Sequence, residues 1–102
     1  MDRLPVIRRQ IDAIDAQLVR LLNARAALAL AVGRIKQELG LAVYQPQREV
    51  EVLAHVRSAN SGPLDDAAVT RLFERVIDEN RRLERLTDGA RAVQSNTDKG
   101  SE

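Results

Sequence analysis

IRRQIDAIDAQLVRLLNARAALALAVGRIKQEL, residues 7–39, is the stretch that decides the fold. Its apolar positions Ile7, Ile11, Ile14, Leu18, Leu21, Leu28, Val32, Ile35 and Leu39 follow alternating steps of four and three, with Arg25 standing where one further aliphatic residue is due. That is coiled-coil spacing, a single apolar stripe along one long helix. Pro5 suits a first helical turn and Gly40 a stop, so the sequence predicts a helix from Pro5 to Leu39. Gly33 within it costs about 1 kcal/mol relative to Ala. At about 1.5 Å per residue such a helix is roughly 50 Å long, whereas a compact domain of this size has a radius of gyration of about 13 Å.

Working outward, a second helix is expected from Pro46 to Ser58. A third follows SGPLDDAAV (61–69), where Asp65 can cap and Leu64 and Val69 occupy the two positions of a hydrophobic staple. It runs to about Thr87, and residues 89–102 are polar and read as a frayed tail. The expected fold is therefore all-α, three helices per chain in a domain spanning 1–88. The second and third helices are too short to cover the seam of the first. A second copy of the chain, packed long helix against long helix, is the economical solution. The competing arrangement is a monomeric bundle whose first helix breaks at Gly33.

Composition narrows the function. The 102 residues suit one domain with an almost wholly aliphatic core, since there is one Phe, one Tyr and no Trp. The absence of Cys removes disulfides and thiolate chemistry. With 16 basic against 15 acidic residues, the balance argues against non-specific nucleic-acid binding. No run of eighteen apolar residues suggests a membrane span, and residues 1–20 carry Asp2, Asp12 and Asp15 without a signal-peptide pattern, so a cytoplasmic setting is expected.

Several charges interrupt the apolar pattern. Buried Arg25 requires an anion; the bland alternatives are an internal salt bridge or a side chain reaching the edge of the bundle. Lys36 lies eleven residues on, which returns it to nearly the same helix face about 16 Å along the axis. Arg8 is about 25 Å from Arg25 along the same helix and meets it at one small ligand only across an antiparallel partner. In the second helix Glu49 shares the inward face with Leu53 and Val56, and Arg48 lies at its border. Ordinary pairing of Glu49 or Glu51 with a neighbouring arginine is the simpler reading there. The third helix carries Val69, Phe73, Val76, Asn80 and Leu83 as its seam, with Glu84 four residues after Asn80. An enclosed carboxyl of that kind has its pKa raised. His55 has no partner pattern and reads as a surface residue, no nucleophile accompanies a base, and no metal-ligand spacing occurs. The set suits a small di-anion held by orientation and electrostatics.

Three stretches, IRRQIDAIDAQLVRLLNARAALALAVGRIK (7–36), VYQPQREVEVL (43–53) and VTRLFERVIDENRRLE (69–84), resemble the all-helical chorismate mutase family. The resemblance covers nearly all of residues 5–86. It implies an intertwined homodimer with two sites, each drawing on both chains, and conversion of chorismate to prephenate by an intramolecular Claisen rearrangement without metal, organic cofactor or covalent intermediate. It further implies that Arg8 reaches a substrate carboxylate from the partner chain and that Arg25 binds a carboxylate within the site. Lys36 and Glu84 would face the ether oxygen, Glu49 would accept the ring hydroxyl, Arg48 would support the site, and Asn80 would line it. Gln45 stands where the family commonly has an acidic residue, which weakens both the helix cap and any contact to the ring hydroxyl. Glu84 can donate to the ether oxygen only when protonated. The same scaffold also carries isochorismate pyruvate-lyase activity, and a non-catalytic helical dimerisation module is the reading from another class. A monofunctional chain is expected, with room for a separate shikimate-pathway enzyme as activator.

Overall fold

The computed structural model describes residues 2–42 and 44–100, with side chains described up to residue 87. Three helices follow one another, α1 (Arg3–Leu39), α2 (Pro46–Ala59) and α3 (Asp66–Gly100). α3 packs against both α1 and α2. No described helix is long and apolar enough to cross a membrane.

The helix boundaries follow local chemistry. α1 runs unbroken through Gly33, so the arrangement with a break there is set aside. It ends at Gly40, whose φ of 71° is left-handed. The Gly40 amide donates to Gln37 O and the Leu41 amide to Lys36 O, satisfying two terminal carbonyls in a Schellman turn. α2 opens with Pro46 in its first turn after an extended Gln45, whose side chain makes no capping bond. This accords with the weak cap expected of glutamine. At α3, Asp65 Oδ1 accepts the Ala68 amide at 2.7 Å, the expected capping bond. Asn60 braces the preceding turn by donating to Leu64 O and Asp66 Oδ1 and accepting from the Gly62 amide.

The sequence places the end of α3 near Thr87; its helical backbone instead continues to Gly100, through the segment read as a tail. No proline interrupts 88–100, Ala90, Arg91, Ala92 and Gln94 favour helix, and Gly89 alone costs about 1 kcal/mol. The side chains of that segment, and residues 101–102 altogether, lie outside the described residues.

The bundle is open. Among described residues Val52, 8% exposed, is the one buried hydrophobic side chain. The expected inner face of α3, from Val69 through Phe73 and Val76 to Leu83, is half-buried, as are Leu53 and Val56 of α2. The apolar members of the α1 seam, by contrast, are 47–68% exposed from Ile7 to Leu39. α3 meets a neighbouring face of α1 instead, one that includes Arg25, Ala29, Gly33 and Lys36. The radius of gyration is 18.6 Å and the extents are 69 × 31 × 16 Å, well beyond the roughly 13 Å of a compact chain this long.

Candidate active site

The three helices and the α1–α2 connection enclose a cavity of about 280 Å³. Each element contributes one periodic face. α1 supplies Arg25, Ala29, Val32 and Lys36; α2 supplies Arg48, Glu49 and Val52 from its first two turns; α3 supplies Ile77, Asn80, Arg81 and Glu84. Tyr44 and Gln45 close it from the connection. Leu28, Ala29, Val32, Val52 and Ile77 give the wall its aliphatic part, and the remaining lining side chains are polar, charged or aromatic.

Seven of the eight residues singled out in the sequence line this cavity: Arg25, Lys36, Gln45, Arg48, Glu49, Asn80 and Glu84. Arg8 does not line it and is exposed on α1. His55 is exposed, as expected.

Arg25 is half-buried and its Nη1 donates to Asn80 Oδ1. The partner is a neutral amide, so this hydrogen bond fixes the guanidinium without compensating its charge. Burial holds the Arg25 pKa below its ordinary value, and the nearby Arg48 cation lowers it further. A site with this character gains from an added anion. Arg48 makes a solvent-exposed pair with Glu51, Nη1 to Oε2 at 3.4 Å, a geometry that contributes little to stability.

Glu49 forms an ion pair with Arg81 across the α2–α3 interface. The simpler reading of Glu49 and Glu51 as partners of arginines therefore holds for both, but the Glu49 pair lies in the cavity wall. Arg81 Nη2 is shielded from solvent and makes no hydrogen bond of ordinary geometry; the Glu49 carboxylate is its ionic partner. Glu49 also lies in the first turn of α2, where the helix dipole favours negative charge. Lys36 occupies the last turn of α1, where the dipole favours a cation. Glu84 lies against α1 at Gly33, the one glycine of that helix and its buried residue.

Arg81 and Tyr44 are the functional candidates that sequence reasoning missed. Arg81 was hidden because the α3 seam was drawn through Val76, Asn80 and Leu83. The spacing Ile77, Asn80, Arg81, Glu84 is an equally regular helix face and could have revealed it. Tyr44 carried no periodic signal, since it lies in a connection.

The family described as chorismate mutase type II matches residues 7–85. A bifunctional chorismate mutase/prephenate dehydratase of Neisseria gonorrhoeae is 49% identical over 78 residues, covering 76% of this chain and 21% of that protein. A bifunctional protein of the same description from Pseudomonas aeruginosa is 40% identical over 88 residues, covering 81% of this chain and 24% of that one. The chain thus spans about a fifth to a quarter of these relatives' length. Among solved structures, a chorismate mutase of Thermus thermophilus superposes with a TM-score of 0.80 at 34% identity, covering 82% of this chain and 96% of that one.

Proposed function

Since the chain belongs to the chorismate mutase type II family, we propose that it catalyses the rearrangement of chorismate to prephenate in this cavity. The observation that carries the reading is the charge inventory: Arg25, Lys36, Arg48 and Arg81 line one cavity with two carboxyl groups, Glu49 and Glu84. That excess of cations suits a compact di-acid.

The chemistry needs no nucleophile. As the ether C–O bond breaks and the new C–C bond forms, negative charge develops on the ether oxygen, and donors aimed there stabilise the transition state more than the ground state. Lys36 is the cationic donor to that oxygen, and Glu84 donates to it in its protonated form. Arg25 clamps a carboxylate, and such bidentate contacts hold the enolpyruvyl group over the ring in the reactive conformer. Glu49 accepts the ring hydroxyl, Arg48 supports the wall, and Asn80 orients Arg25. Gln45 lines the cavity from the N-cap position of α2.

A homodimer belongs to the same proposal. It is supported by the exposed α1 seam, which nothing among the described residues covers. An antiparallel second copy would bury that stripe and bring Arg8 of the partner subunit to the second carboxylate. A cytoplasmic setting is part of this reading as well.

The test follows chorismate loss in the ultraviolet and assays prephenate by its acid conversion to phenylpyruvate, for the wild type and Arg25→Ala. Conversion that disappears in a variant of unchanged helicity and mass supports the mutase. A folded wild type that leaves chorismate unchanged but releases pyruvate from isochorismate replaces it with the lyase. Inactivity on both returns the chain to the reading as a helical dimerisation module.

A further inference from the structure

Arg81 commits its charge within the cavity wall. It pairs with Glu49, and both side chains are enclosed, 24% and 28% exposed respectively. Its guanidinium carbon also stands 4.6 Å from the centroid of the Tyr44 ring, within the range of a cation–π contact. One side chain of α3 therefore holds the first turn of α2 and the connection that precedes it. Asn80 and Glu84, on the same face of α3, are one residue before it and three after. Any movement of Arg81 would move the acceptor that Glu49 offers to the ring.

The pair also sets the charge of that acceptor. An unpaired carboxylate would favour an ammonium group over a hydroxyl, because the ammonium adds a full Coulombic attraction. With Arg81 already on Glu49, a ring ammonium would meet a compensated carboxylate and a nearby guanidinium, whereas a neutral hydroxyl loses nothing.

We propose that Arg81 is a positioning and specificity-determining residue: its ion pair with Glu49 orients that carboxylate and restricts the site to a ring bearing a hydroxyl rather than an amino group. The proposal rests on the reading of Glu49 as the acceptor of the ring hydroxyl. It acts through Glu49, not by contact with substrate, and this distinguishes it from Arg25 and Lys36.

The test is a double-mutant cycle with Arg81→Met and Glu49→Gln, measured on chorismate and on its analogue with an amino group in place of the ring hydroxyl. Arg81→Met is expected to lower kcat/KM for chorismate by about tenfold or more, the usual consequence of stranding one partner of an enclosed ionic contact. In the Glu49→Gln background the same change should have almost no further effect, since coupled residues are non-additive. The ratio of kcat/KM for the amino analogue over chorismate should rise about tenfold or more in Arg81→Met, and Arg81→Lys, which keeps the charge but not the planar contact with Tyr44, should restore part of the wild-type preference. Equal losses on both substrates, or the same loss in both Glu49 backgrounds, would show that Arg81 serves the substrate or the fold directly and overturn the proposal. Should Arg81→Met not fold, Arg81→Gln replaces it in the same cycle, with the same two outcomes. A wild type inactive on chorismate removes the functional reading and this inference together; an active wild type with additive variants removes the inference alone.

Discussion

The Glu84 carboxyl rests on Gly33, such that a Cβ at residue 33 would stand 3.5 Å from Glu84 Oε2 and 3.6 Å from its Cδ. Those are ordinary van der Waals distances, so the glycine allows the close approach without being the only residue to fit. Gly33→Ala should therefore keep activity within about threefold while stabilising α1 by up to about 1 kcal/mol, through helix propensity and a less flexible unfolded chain. Gly33→Val adds branches at the same point and should push Glu84 off the cavity, lowering kcat/KM by about tenfold or more. Thermal melts and steady-state rates of the two variants check both expectations. An inactive Gly33→Ala would mean that Glu84 has no room to yield.

Asn80 fixes Arg25 while leaving its charge available. Asn80→Asp keeps the shape and supplies the anion that the substrate is proposed to supply. It should raise KM by about tenfold or more with a smaller change in kcat, because an ion pair already made must be broken for binding. Asn80→Ala removes the orienting bond but not the charge, and should raise KM less than Asn80→Asp. The reverse order, measured by initial rates against chorismate concentration, would show that Asn80 serves the site by its amide alone.

The lowered pKa of Arg25 has a consequence for stability. Burial, and then Arg48, disfavour its charged form in the fold, so the charged side chain weakens the folded state at every pH where arginine is protonated in the unfolded chain. Only strongly alkaline conditions, above the lowered folded-state value, would relieve the penalty. Arg25→Met should accordingly raise the Tm of the free protein. It should also abolish the Tm increase expected of the wild type with prephenate, if prephenate binds the native state in this cavity. A ligand-dependent shift that survives in Arg25→Met would place the carboxylate clamp elsewhere.

The helices were legible because each begins or ends on a residue with a local reason: Gly40 with its left-handed φ, Pro46 in a first turn, and Asp65 accepting from Ala68. The site was legible for the same reason that helices are periodic. Arg25 and Lys36 share a face of α1, and Asn80 and Glu84 share one of α3. What escaped were interactions between elements. No pattern along α3 announces that Arg81 crosses to Glu49 and Tyr44, since that depends on how α2 is laid beside it. The apolar residues of α1 do form one stripe, but α3 packs on the adjacent face that carries Ala29 and Gly33, and the stripe stays 47–68% exposed.

If Glu84 donates its proton to the ether oxygen, only the acid form is active there, and an ionised carboxylate repels the charge that develops. The rate should therefore be lower under alkaline conditions, where that donor is lost. Glu84→Gln replaces the titrating donor with a permanent amide donor, so its profile should be flat over the alkaline limb. A wild-type profile without that loss, matched by an unchanged one in Glu84→Gln, would remove Glu84 from the reaction and leave Lys36 as the sole donor to the ether oxygen.

The open stripe of α1 is where a second copy of the chain would act. Ile14 and Leu18 are 55% and 50% exposed in the single chain, and each buried aliphatic side chain contributes roughly 1.5–3 kcal/mol when removed from water. If a second copy covers them, Leu18→Glu places a carboxylate in an apolar interface without a partner. It should shift sedimentation equilibrium from dimer to monomer and reduce helicity, since α2 and α3 alone bury too little to hold a long α1. Activity should fall with the dimer, because Arg8 of the partner subunit is then absent from the site. Two separately inactive variants provide the sharper check. Mixing Arg8→Ala with Arg25→Ala would form hybrids in which one of the two sites is intact, and so should recover up to about a quarter of wild-type activity under random exchange. No recovery from a mixture shown to exchange subunits would place both arginines in the same chain's site and overturn the shared-site arrangement.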